Sequence, residues 1–157
     1  MARLMTTLGT FVGALALTGM TAGVAAADHQ KVDGSISSGG DTCSWTNADT
    51  SANPPETLTV DHETVNANTT CSGSKTVTLN NDPTVTFDDE AGTATADLID
   101  VTVVEYGVTC EYQAENVQAE RDGTTRAYSA AGVTVYKSGG SFLCPSTETA
   151  DAKFLFH

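Results

Sequence analysis

Over long stretches of this chain apolar residues recur at every second position, and four cysteines are set into that alternation. The stretch "YGVTCEYQAE", Tyr106 to Glu115, shows both features at once. Val108, Cys110, Tyr112 and Ala114 share one parity, with Thr109, Glu111 and Gln113 on the other. A period of two places one set toward a core and the other toward water, which is the pattern of a half-buried strand. Helical spacing is nearly absent after residue 28, where Thr, Val, Ser, Gly and Asn dominate.

Further runs read as strands: "ETLTVDH", "KTVTLN", "TVTFD", "ATADLIDVTVVEY", "NVQAER", "TRAYSA", "GVTVYK", "SFLCP" and "ADAKFLF". The face of the longest switches near Val103–Val104, which predicts a bulge there. Asp122-Gly123 marks a tight hairpin. With turn signals about every 8–12 residues, these ten or so strands predict an all-β domain, a disulfide-stabilised Greek-key β-sandwich of immunoglobulin-like architecture. It is not a true immunoglobulin domain: Trp45 follows Cys43 too closely, and no tyrosine stands two residues before Cys71.

The cysteines, Cys43, Cys71, Cys110 and Cys144, form no C-x-x-C pair, and His62 is nine positions from the nearest of them. Zinc requires closer ligands, and a catalytic cysteine requires a reduced thiol, so the four read as two disulfides. Cys43–Cys71 and Cys110–Cys144 are the expected pairs, because each brackets its own set of strands.

Arg3, the apolar run Leu8–Val24 and "AAA" at Ala25–Ala27 have the form of a secretory signal peptide. The expected organisation is residues 1–27 as leader, 28–41 as a flexible Gly/Ser-rich arm and 42–157 as the β-sandwich domain. No cysteine near the cleavage point offers a lipid attachment site, so a secreted, extracellular monomer is expected. Twenty Asp and Glu against seven Lys and Arg give a net charge of −13. That charge repels nucleic acid and anionic membranes and favours solubility outside the cell.

Chemistry-bearing groups are few. Asp82, Asp88, Asp89, Glu90, Asp97 and Asp100 cluster in sequence and would suit calcium, which takes carboxylate and carbonyl oxygens from loops between strands; the competing reading of "DDEAG" is a solvated turn. "DHET" begins like H-E-x-x-H, but Asn66 replaces the second histidine and the run reads as strand. No nucleophile elbow or phosphate loop is present, so no catalytic residue and no cofactor other than calcium is assigned. Tyr128, Tyr136, Ser141 and Phe142 are the candidate binding residues, since aromatics anchor many interfaces; the alternation of Phe142, Phe154 and Phe156 reads equally as core.

Three resemblances bear on this. "NNDPTVTF" resembles the Asn-Asp-x-x-Pro-x-Phe linker of cadherin-type adhesion domains, though the spacing differs. In composition the chain is similar to the neocarzinostatin-type apoproteins, two-disulfide sandwiches that carry an apolar ligand but close shorter cysteine loops. "GVTCEY…GGSFLCPSTETADAKFLF", roughly the last third of the chain, looks like the C-terminal part of small exported actinobacterial proteins of unassigned function, on its Cys…Cys-Pro pattern. Together these readings predict a secreted, non-catalytic binding module acting in adhesion, envelope association or capture of an extracellular protein or surface component. Two alternatives stand beside it: a carrier of a small apolar ligand, which requires a crevice between the sheets, and a protease inhibitor presenting the 138–147 loop.

Overall fold

The computed structural model of the protein describes residues 30–157; the expected leader (residues 1–27) lies outside the described residues. Ten antiparallel strands and one short helix follow in chain order: β1 (Lys31–Ser38), β2 (Asp41–Asp49), β3 (Leu58–Thr59), α1 (His62–Asn68), β4 (Thr70–Cys71), β5 (Thr76–Leu79), β6 (Thr84–Asp88), β7 (Thr93–Glu105), β8 (Val108–Arg121), β9 (Ala127–Gly140) and β10 (Thr147–Phe156). They form one sheet in the order β3-β6-β7-β8-β9-β10-β1-β2-β4, with β5 added to β7. Strands β8, β9 and β10 follow one another as hairpins, and β1 returns to lie beside β10, a path compatible with a Greek key.

The sheet curls over itself into a sandwich-like body. Val32 of β1 and Trp45 of β2 share one core with Val85, Ala94, Val117 and Ala119 of β6, β7 and β8. Gly34 of β1 stands opposite Trp45 in the ladder, and a Cβ on Gly34 would lie 2.1 Å from the indole Cζ2. Beyond Trp45, Phe87, Tyr128 and Phe156 form a cluster with centroids 5.3–5.9 Å apart, Phe156 meeting the other two edge-to-face, and Phe154 tilts against Trp45 at 6.1 Å. Such pairs add to the area that each ring buries.

The long strands reverse their inward parity partway along. In β7 the inner residues are Ala94 and Ala96, then Ile99, Val101 and Val103. In β8 they are Cys110, Tyr112 and Ala114, then Val117 and Ala119. Both strands switch at the same level, beside Asp97 and Asn116, so their register continues unbroken from Thr93↔Glu120 to Glu105↔Val108. Asn116 takes a left-handed φ of 52° there. The expected irregularity at Val103–Val104 is therefore absent, and those residues pair regularly with β8. The outer edge of β7 changes partner instead, from β6 at Thr93–Ala96 to β5 at Val101–Val104.

Several expectations are corrected. Residues 31–38 of the expected arm are β1, paired on both sides. "ETLTVDH" ends early, and His62–Asn68 is a helix whose N-cap Asp61 accepts from the Thr64 N–H at 3.1 Å. Asn66, on that helix, donates to and accepts from the Leu79 backbone at 2.8 Å each way, which ties α1 to β5. "SFLCP" forms a turn, and the four runs from Val108 to Lys137 merge into the long strands β8 and β9. The disulfides are Cys43–Cys71 and Cys110–Cys144, as expected.

Because the close approach of Gly34 to Trp45 leaves no room for a methyl group, Gly34→Ala is expected to lower unfolding free energy by about 1–3 kcal/mol through overpacking. Urea titration of the two proteins measures it, and equal stability would mean that the indole has somewhere else to go.

Candidate functional site

At the aromatic end of the interior the rings leave a residual space of about 70 Å³, and the other end is wider and open. Below the parity switch, Ile99, Val101 and Val103 of β7, with Val77 of the adjoining β5, line a crevice of about 350 Å³ together with Val133 and Val135 of β9 and Ile36 of β1. These side chains are half-buried, because valine and isoleucine do not reach across the gap that rings fill at the other end. Such a volume lies within the range of small-molecule pockets, which are mainly apolar with few polar groups.

Both disulfides frame this space, with Cys43, Cys110 and Cys144 in its wall. Cys43 and Cys71 join β2 to the edge strand β4, and Cys110 and Cys144 join β8 to the turn before β10. With sequence separations of 28 and 34 residues, each restricts the unfolded chain by an amount worth about 3–4 kcal/mol. Tyr106 and Leu143 stand at the mouth, both largely exposed. Tyr106-Gly107 is the two-residue β7–β8 turn, with φ of 48° and 78°, the left-handed pair that a type I′ hairpin uses.

The polar groups in the wall are Asp41, Lys75, Glu105, Glu148, Tyr112 and Ser38. The Lys75 ammonium lies 3.4 Å from Asp41 and 3.8 Å from Glu105, and also donates to the Ser38 carbonyl at 3.2 Å. Tyr112 is 4% exposed. Burial, and after it the negative charge of Glu148, pushes its phenol above the ordinary value of 10.0.

The carboxylates expected to gather around calcium go to separate places. Asp88 accepts from Ala91 N–H at 2.8 Å within its turn. Asp89 is held by Arg121 and Arg126 at 2.8 and 2.7 Å; the Arg126 hydrogen bond, chiefly, draws its carboxyl below the usual range. Asp97 accepts the backbone N–H groups of Thr84 and Leu98. Asp100 accepts from Asn80 and Gln113, and Glu90 is exposed in the turn. Among the described residues the one group of three metal-capable side chains is Asp61, His62 and Asp82. There, Asp82 accepts from His62 through both Nδ1 (2.6 Å) and the backbone N–H (2.9 Å), while Asp61 caps α1.

Of the candidate binding residues, Tyr128 is 2% exposed and belongs to the aromatic core, which removes it from the surface. Tyr136 is 62% exposed on β9. Ser141 anchors its turn, donating its N–H to Thr109 O at 2.9 Å while its carbonyl accepts from Lys137 Nζ at 2.6 Å. Phe142 is 90% exposed at the tip of that turn, which overturns its core reading. The crevice residues themselves escaped the sequence reading. Their signal was the uninterrupted Val/Ile parity of β7 and β9 without a large ring to fill the space. Comparison with protein-family models, curated proteins and solved structures finds no match to this chain.

The hydrogen bond from Asp82 raises the His62 pKa above 6.5, and the bonds from the His62 backbone and ring lower that of Asp82 below 3.8. The raised imidazole contributes stability below about pH 6.5 and loses it as pH climbs through the folded value. The depressed carboxylate contributes above its unfolded pKa and loses that as pH falls through its folded one. An NMR titration is expected to place His62 above 6.5 in the native protein and to return it toward that value in Asp82→Asn; an unchanged imidazole in the variant would show that the pair does not form.

Proposed function

We propose that this protein is an exported, non-catalytic binding protein that holds a small, mainly apolar ligand in the crevice between its sheet halves. One observation carries the reading: an apolar space of about 350 Å³ stands open inside a domain whose other end is packed with rings around only about 70 Å³. Exposed apolar surface of this kind costs free energy in water, at roughly 25 cal/mol per Å². A fold that keeps it open gains by covering it with something else. The two disulfides support this, because cross-links stabilise the walls whether or not the space between them is filled, and they fit an oxidising compartment. Among the described residues no helix is long and apolar enough to cross a membrane.

A reading that places a protein partner on the 138–147 loop has one observation of its own, the exposed Phe142 on a disulfide-braced turn. The crevice takes precedence because it is concave, and Leu143 of the same turn already belongs to its wall.

The neutral fluorophore prodan tests the reading directly. Purified oxidised protein is expected to bind it with a blue shift and a micromolar Kd. Val101→Trp, which fills the crevice from the β7 side, is expected to weaken binding at least tenfold without lowering the thermal midpoint. Phe142→Ala is expected to leave binding intact. Prodan that fails to bind, or binds Val101→Trp equally, would move attention to the Phe142 turn.

A further inference from the structure

The crevice wall is charged unevenly. Three carboxylates, Asp41, Glu105 and Glu148, face it with one ammonium, Lys75. Lys75 sits between Asp41 and Glu105 at the mouth. Glu148 stands apart from that group: opposite Val135 and two residues from Ala150 on β10, it shares their inner face, is half-buried, and its side chain has no hydrogen bond or ion pair within the protein. The nearest cation along β9, Lys137, is committed to the Ser141 carbonyl at 2.6 Å. Tyr112 lies on the same inner surface, almost wholly buried, and its hydroxyl has no protein partner. A partly desolvated carboxylate is costly to leave unpaired, and it and the tyrosine border one apolar space.

Resting on the crevice reading above, we infer that the ligand joins an apolar body to a protonated amine, with Val101, Val103, Val133 and Val135 covering the body and Glu148 and Tyr112 receiving the cationic end. A carboxylate accepts every donor of an ammonium, and its attraction strengthens where the walls exclude water. The tyrosine oxygen accepts a further N–H. A carboxylate-bearing ligand of the same shape would meet Glu148 with like charge. The protein's net charge of −13 draws a cation toward the mouth and repels an anion, but that field is screened by salt at a distance. The close contact with Glu148 is the part that survives physiological ionic strength.

Displacement of prodan by three ligands of equal chain length, decylamine, decanol and decanoate, separates the body from the head group. At physiological salt and pH 7, decylamine is expected to displace prodan at a concentration at least tenfold below decanol, with decanoate the weakest. The readout is the amine-to-alcohol ratio. It is expected to fall toward one in Glu148→Gln, to fall partway in Tyr112→Phe, and to stay unchanged in Glu90→Gln, which removes an equal charge from an exposed turn. A native ratio near one, or a ratio equally large in Glu148→Gln, overturns the inference while leaving the crevice as an apolar site. Prodan or decanol failing to bind at all overturns the crevice reading, and the inference with it.

Discussion

Strands β7, β8 and β9 run 13 to 14 residues, about 45 Å at the usual rise, which is longer than one compact core of a small domain requires. A strict alternation over that length, combined with sheet twist, would carry the apolar row away from the interior. The simultaneous change of inner parity beside Asp97 in β7 and Asn116 in β8 corrects this without shifting the register. In β9 the change falls at Ala131-Gly132, where Gly132 takes a φ of 66° and the pairing with β10 slips by one between Ala150 and Ala152. Each long strand therefore presents an inward face along its whole length, and the interior extends past the aromatic cluster into a second compartment. Asp97 holds the switch in place by accepting from Thr84 and Leu98.

The two compartments differ in what fills them. Where Ala94, Ala96, Ala119 and Ala130 line the wall, the small side chains leave room for Trp45, Phe87, Tyr128, Phe154 and Phe156, the large-against-small arrangement that gives dense packing. Past the switch the wall residues are mostly valines of nearly equal reach, and a single ring, Tyr112, is buried among them. With less packing from inside, that end draws part of its cohesion from the rim. Cys43–Cys71 and Cys110–Cys144 supply it, together with the Lys75 bridge between Asp41 and Glu105. Walls fixed before a ligand arrives spare the binding step the cost of ordering them.

Much of the fold was legible in the residues. Alternation marked the inner row Val108, Cys110, Tyr112 and Ala114 correctly, and cysteine spacing led to the right pairs. The misses have physical causes. β1 reads as a Gly/Ser arm because its outward residues include Ser35 and Ser37 and Gly34 must stay bare beneath Trp45; its strand character comes from pairing with β2 and β10, which local composition does not encode. The helix His62–Asn68 carries a single buried residue, Val65, too few for an apolar stripe, and is set by the Asp61 cap and by Asn66. Tyr128 looked like a surface ring because its neighbours are small, yet small neighbours are what admit it to the core. The crevice was the least legible feature, since an unfilled volume follows from which rows face each other across the curled sheet.

The same distinction between local and long-range partners sorts the acidic residues. Most carboxylates that stood out in sequence are spent within the fold: Asp88 within its turn, Asp82 on His62, Asp97 on the parity switch. Asp89 accepts two arginines and ties the β6–β7 turn to the β8–β9 hairpin. These groups shape the fold, and their clustering in sequence reflects the number of turns there. Glu148 attracted no notice, isolated in "STETAD", yet it is the acid that the sheet carries to an apolar wall and leaves without a partner. A carboxylate satisfied by the fold has little attraction left for a ligand. One that the fold has partly removed from water keeps its full demand for a cation, and in this protein that demand is directed into the wider opening of the interior.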